Sequence, residues 1–197
     1  EHGVYAYMKH FALNDQEGNR NCMAATWSNE QAIREIYLKP FEMSVKDADC
    51  HAVMSSFNYI GNRWAGGCSE LLQNVLRGEW GFLGFVETDY FGVYGYMTAD
   101  QAVRNGGDLM LCTTGNDYNN VTVLTNSSKQ AMRTSAKNIL YTVVNSRAYE
   151  AENLNPGMAK WKVIMIGADV VVALLIVGLE YTAIKNYKKR KEEEEEV

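Results

Sequence analysis

The chain has 197 residues, 47% of them apolar, and a formal net charge of −5. That length and apolar share allow one domain with a buried core plus an appendage. The acidic balance, with no basic stripe interleaved with aromatics, argues against nucleic acid as a partner. The four cysteines, Cys22, Cys50, Cys68 and Cys112, have neither the paired spacing nor the histidine partners of a metal site. They read as scattered buried thiols, and no metal or other cofactor is expected. The first residue is Glu1, with no signal peptide before it, which suggests a piece of a longer polypeptide.

The predicted elements alternate. Val4 to Phe11 is an apolar run that reads as the first strand and ends on Lys9 and His10. A polar loop follows, and Ser28-Asn29-Glu30-Gln31 is a capping-box pattern opening a helix with Ile33, Ile36 and Tyr37 at helical spacing. Pro40 starts a second short helix with Phe41, Val45 and Ala48 on its apolar face. Ala52 to Asn58 is too short and too β-branched or aromatic for a helix and reads as the second strand. Leu71, Leu72, Val75 and Leu76 share one face of the next helix, which Gly78 is expected to end.

The third strand, Gly84 to Phe91, carries Asp89 near its C-terminal tip. Thr98 to Arg104 is a helix with a capping-box pattern at Thr98 and Gln101, and Gly106-Gly107 turns the chain into a fourth strand, Asp108 to Cys112. The helix Ser128 to Ser146 should bury Met132, Ala136, Ile139, Leu140 and Val143. Strand-helix alternation of this kind calls for a parallel sheet wrapped by helices. The fold class is therefore α/β, a partial TIM-type barrel of about four βα units over residues 1–150. An open half-barrel is rarely tolerated, so the missing strands are expected upstream of Glu1.

Ligands of parallel sheets gather at the strands' C-terminal ends, which aims Lys9, His10 and Asp89 at one pocket. An Asp at a strand end often serves only as a cap or turn former. Opposite a lysine it should stay ionised, which suits a nucleophile for a sugar's anomeric carbon.

Five motifs then recur in order. They are Lys9-His10-Phe11-Ala12-Leu13-Asn14-Asp15-Gln16-Glu17 with Arg20, Arg34-Glu35-Ile36-Tyr37-Leu38-Lys39-Pro40-Phe41-Glu42, Val53-Met54-Ser55-Ser56-Phe57-Asn58, Leu76-Arg77-Gly78-Glu79-Trp80-Gly81-Phe82-Leu83-Gly84-Phe85-Val86 and Gly106-Gly107-Asp108-Leu109. Over about residues 4–148 the chain resembles glycoside hydrolase family 3, the β-glucosidase family, and specifically the C-terminal half of its barrel. The resemblance implies that Asp89 forms a covalent glycosyl-enzyme, that Lys9 and His10 hydrogen-bond the sugar in the innermost subsite, and that Met54 and Phe57 line it. Tyr90 stands where the family usually has Trp, Thr88 where it usually has Ser, and Phe57 where many relatives carry Tyr. The family's general acid usually comes from a second domain that nothing here matches. That domain is expected before the barrel, and the fragment alone is expected to be inactive. Glu87 reads as a structural or rim charge.

After a linker at 151–160, Val163 to Leu179 is long and apolar enough for a membrane-spanning helix, placed at 161–184, with Trp161 and Tyr181 as interfacial anchors. Asp169 opposes this at a cost of about 2.5 to 3.5 kcal/mol. Lys185, Lys188, Lys189, Arg190 and Lys191 outnumber Lys160 and Lys162, so the charged tail 185–197 is expected in the cytoplasm and the catalytic part outside. The Glu192 to Glu196 run reads as a solvated, disordered terminus. The expected function is thus part of a retaining exo-β-glycosidase on a cell membrane, removing terminal β-linked glucose. β-Xylosidase activity is the alternative within the family. A membrane-anchored sugar-binding or scaffold module without catalysis is the alternative outside it, motivated by Phe57 and Tyr90.

Overall fold

The computed structural model describes residues 3–91, 94–112, 119–150 and 157–195. The chain divides into two compact units, Glu1–Glu150 and Ala151–Val197. The expected linker falls mostly outside the described residues, as does much of the polar loop after Cys112.

In the first unit the described strands are β1 (Met8–Phe11), β2 (Ala25–Thr26), β3 (Ala52–Ser55), β4 (Tyr59–Ile60), β5 (Arg63–Trp64) and β6 (Phe85–Glu87). β1, β3 and β6 form a parallel sheet in that order. A parallel bridge from Glu87 to Leu109 puts the fourth predicted strand beside β6. The architecture is α/β and incomplete as a barrel. Each strand is shorter than expected: β1 begins only at Met8, whereas β3 and β6 end early, where the backbone leaves the ladder for the C-terminal loops. The loops after β1 and β3 together form a second small sheet that patterning missed: β4 pairs parallel with β2 and antiparallel with β5. Its strands are two residues each, below the length at which alternation is visible.

Register decides the two faces of the main sheet. Val53 pairs with both Met8 and Val86, and these residues face the helices. Phe11, Val53 and Val86 pack there with Leu38, Val45, Leu72, Leu76 and Trp80. Met54 pairs with Glu87 on the opposite face, where both are half-buried. Beyond the strand ends a second cluster gathers Phe57, Trp64, Phe91, Met97 and Ala102.

Helix boundaries differ from expectation in informative ways. Asn29, not Ser28, caps α1 (Glu30–Ala32), its side chain accepting from the Ala32 N–H at 2.8 Å. α1 runs into a wide π turn at Ile33–Tyr37, which leaves Ile36 exposed, and α2 (Lys39–Lys46) follows with Pro40 in its first turn. The helix Glu70–Glu79 is also π-wound and passes through Gly78. It stops at Trp80, and Gly81, at φ +73°, supplies the left-handed residue that ends it. Gly84 has a different reason: a Cβ there would collide with the His51 carbonyl, so only glycine lets β6 start beside β3.

α3 (Ala99–Arg104) is capped by Thr98, as patterned. α4 (Asn126–Val144) is capped by Thr125 and Ser128 reciprocally. Its buried stripe is not the apolar one: Ser128, Ser135 and Thr142 are buried, while Leu140 is 60% exposed and Val143 half exposed. Ser135 Oγ donates to the Gly107 carbonyl at 3.1 Å, and Asn138 Nδ2 donates to Asp108 Oδ1 at 3.0 Å. The helix approaches a glycine turn and a buried carboxylate, so small polar residues win the contact face.

The four thiols are free: Cys68 is buried, Cys50 and Cys112 are half-buried, and Cys22 is exposed, which corrects the expectation that all are buried. In the second unit α5 (Lys160–Glu195) is one continuous helix. Glu192–Glu195, expected to be disordered, continue its backbone.

Candidate active site

The site is built from three strand ends. β1 brings Lys9 and His10, the turn after β3 brings Phe57, and Asp89 follows β6 by two residues. These ends are fastened to one another by buried polar side chains. Ser56 Oγ and Asn58 Nδ2 both donate to the Ala12 carbonyl, at 3.2 and 3.1 Å, tying the exit of β3 to the exit of β1. Trp64 Nε1 donates back to the Ser56 carbonyl at 2.8 Å. Thr88 is fully buried, and its Oγ1 accepts from the Leu111 N–H at 3.1 Å while its own N–H donates to the Leu109 carbonyl. Thr88 thus anchors the tip of β6 to the Leu109–Leu111 segment immediately before Asp89.

Asp89 is 9% exposed. Its Oδ1 accepts from the Tyr90 N–H at 2.7 Å, which fixes the carboxylate plane. Its Oδ2 is buried without a hydrogen bond and lies 3.3 Å from His10 Nε2, close enough for ion pairing but not aligned for a hydrogen bond. Burial holds the His10 imidazole below its ordinary pKa of 6.5, with Asp89 opposing and the Lys9 and Arg20 cations reinforcing the shift. A largely neutral imidazole beside an unoccupied carboxylate oxygen leaves that oxygen available to a ligand.

The structure brings His10 and Asp89 together and puts Lys9 next to them as an exposed cation. Tyr90, half-buried, packs against the Phe57 cluster. Phe57 is buried, edge-on to Tyr94 at 5.4 Å, and its carbonyl accepts from the Tyr96 hydroxyl at 2.9 Å. Burial pushes the Tyr96 hydroxyl pKa up, so it stays a donor. Met54 sits farther down the strand, beside Glu87 rather than Asp89. Glu87 is hydrogen-bonded to Tyr7, and burial raises its pKa. Tyr7 is pushed up to about 12 by its own burial and by the Glu87 charge.

Arg20 lies within electrostatic reach of His10, a neighbour that spacing alone did not single out. Its guanidinium lies 5.1 Å above the Phe57 ring, Nε pairs with Glu17 at 3.0 Å, and Nη1 is buried with no acceptor. A buried guanidinium N–H without an acceptor suits an oxygen-rich ligand. No group of three or more metal-ligating side chains occurs among the described residues.

These features define a class: a parallel α/β sheet of barrel type whose strand ends present a buried carboxylate and an imidazole with a lysine and an arginine close by. The comparisons make it particular. The model of the glycosyl hydrolase family 3 N terminal domain matches residues 1–140, and the chain belongs to that family. It is 40% identical over 107 residues to probable beta-glucosidase K of Emericella nidulans, covering 54% of this chain and 12% of that protein. Beta-glucosidase B of the same organism is 44% identical over 107 residues, again 54% and 12%. Among solved structures, beta-glucosidase 3B from Thermotoga neapolitana in complex with glucose superposes with a TM-score of 0.64 at 31% identity, over 77% of this chain and 22% of that one. The chain therefore spans a small part of its relatives' length.

Proposed function

We propose that this chain is part of a retaining β-glycosidase that removes terminal β-linked glucose, with Asp89 as nucleophile. The observation that carries the reading is the divided carboxylate: one oxygen held by the Tyr90 N–H, the other buried and free of hydrogen bonds. In the proposed reaction Oδ2 attacks the anomeric carbon as the bond to the leaving oxygen breaks. A general acid from another part of the full protein protonates that oxygen. Water then hydrolyses the glycosyl ester and restores the carboxylate. His10, Lys9 and Arg20 Nη1 donate to sugar hydroxyls, and these bonds strengthen as the ring becomes cationic. Phe57 and Tyr90 supply apolar walls, and Met54 lies deeper on the same face as Glu87.

The proposal includes the rest of the barrel upstream, so that the chain alone is inactive. It also includes anchorage by α5, supported by a helix that is long and apolar enough to cross a membrane, with its described side chains exposed. The excess of basic residues after the apolar stretch supports a cytoplasmic C-terminus and an external site.

In the complete enzyme, Asp89→Asn should lower kcat by several orders of magnitude and leave a 2-fluoroglucoside unable to label this position. Labelling of another carboxylate would overturn the assignment. Binding of glucose without release of aglycone by the wild-type enzyme would favour a sugar-binding module instead.

A further inference from the structure

The apolar stretch of α5 is not uniform around its circumference. Between Val163 and Ile184 the charged residues are Asp169 and Glu180. In a continuous helix at roughly 100° per residue they lie within about 20° of one line. Ile166, Asp169, Ala173, Ile176, Glu180 and Ala183 follow one another at alternating steps of three and four, the spacing of a left-handed helix-helix seam. The opposite side carries Gly167, Val171, Gly178 and Thr182. Asp169 lies about 10 Å along the axis from Lys162 and about 24 Å from Lys185, well inside a hydrocarbon layer of about 30 Å.

We propose that a second copy of this chain docks on this seam, the two α5 helices lying parallel with Asp169 facing its own counterpart. The inference rests on the reading of α5 as a membrane span. A carboxyl group in hydrocarbon needs a polar partner, and within α5 the nearest charges are turns away on the helix. Copies of one chain insert in the same direction, so a parallel pair brings two Asp169 side chains to the same depth. Two carboxyls sharing a proton can donate and accept between themselves, which makes the group self-complementary. Ala173, one turn on, removes the bulk that would hold the backbones apart at that level, as small residues do between packed membrane helices. Glu180 falls beside Tyr181 near the basic end, where water reaches it.

The test uses the full chain, expressed in bacterial membranes and purified in dodecyl maltoside, with association measured by sedimentation equilibrium. Wild type should dimerise, Asp169→Leu should dissociate at least tenfold more readily, and Asp169→Asn, which can still donate and accept, should remain a dimer. Gly178→Leu, on the opposite side, should also remain a dimer. Disulfide crosslinking of Ala173→Cys should exceed that of Leu174→Cys over the wild-type background. A monomeric wild type, or a dimer indifferent to Asp169→Leu, overturns the seam. Alkaline carbonate extraction separates the two readings: release of the chain overturns the span and the seam together, whereas retention of a monomer overturns the seam alone.

Discussion

Asp108→Asn is the substitution whose consequence the structure specifies most closely. Three donors converge on the Asp108 carboxylate, whose side chain is 1% exposed: Arg77 Nη2 at 2.7 Å, the Val86 N–H at 2.8 Å and Asn138 Nδ2 at 3.0 Å. An amide of the same shape offers one acceptor oxygen and turns an NH2 toward at least one of those donors. The loss of a charge-assisted bond and the orphaning of a buried donor together cost about 3 to 5 kcal/mol. For a chain of this size that is on the order of 10 °C in Tm. Burial pushes the Arg77 pKa down and the Asp108 pKa up, against their mutual attraction, so the pair is expensive to bury. Arg77→Met in the Asp108→Asn background should therefore cost less than the two single changes added, by about 1 to 3 kcal/mol. Urea unfolding of the full chain in detergent, followed by near-ultraviolet circular dichroism, measures all of these. A single-mutant loss below about 1 kcal/mol, or strict additivity, would refute the argument.

Asn58→Ala should cost about 1 to 3 kcal/mol in the same assay, because it removes bonds that a fully buried side chain makes to the Ala12 carbonyl and to Thr26 Oγ1. A cost under about 0.5 kcal/mol would mean that the Ser56 bond alone suffices to tie the exit of β3 to that of β1. His10 gives a pH dependence whose sign is fixed. Its folded pKa is below 6.5, so the unfolded chain takes the proton first. The associated stability is present above pH 6.5 and is lost as pH falls through the folded value. His10→Gln should flatten the change in urea midpoint between pH 7.5 and 5.5, and an unchanged slope would show that the imidazole titrates as it does in the unfolded chain.

What patterning could reach follows from where side-chain chemistry repeats. The order of strands and helices was legible because Val53, Val86 and the Leu71-Leu72-Leu76 face obey simple periods and pack into one core. Periods fail where polar atoms replace apolar ones as packing partners. α4 buries Ser135 and Thr142 and exposes Leu140 because the surface it meets is the Gly107 carbonyl and the Asp108 carboxylate. Strand lengths were overestimated for a related reason. Ser56, Phe57 and Asn58 are as buried as strand residues, yet their partners are a loop carbonyl and an aromatic cluster rather than a ladder.

The candidate site divides along the same line. That His10 and Asp89 come together was legible because parallel topology sends the strand tips to one end. Met54 was assigned by its motif alone, and the register puts it with Glu87, a pleat below the carboxylate. Arg20 illustrates the converse. It lies in a polar loop without periodicity, and nothing in its local spacing distinguishes it from Lys39 or Arg63. Its distinction is three-dimensional: the Phe57 ring beneath it and Glu17 beside it hold the guanidinium so that Nη1 is buried with no protein acceptor, within electrostatic reach of His10. A chain that leaves both Asp89 Oδ2 and Arg20 Nη1 buried without a hydrogen bond pays for both in stability. A bound hydroxyl-rich ligand would recover that cost by accepting from one and meeting the other.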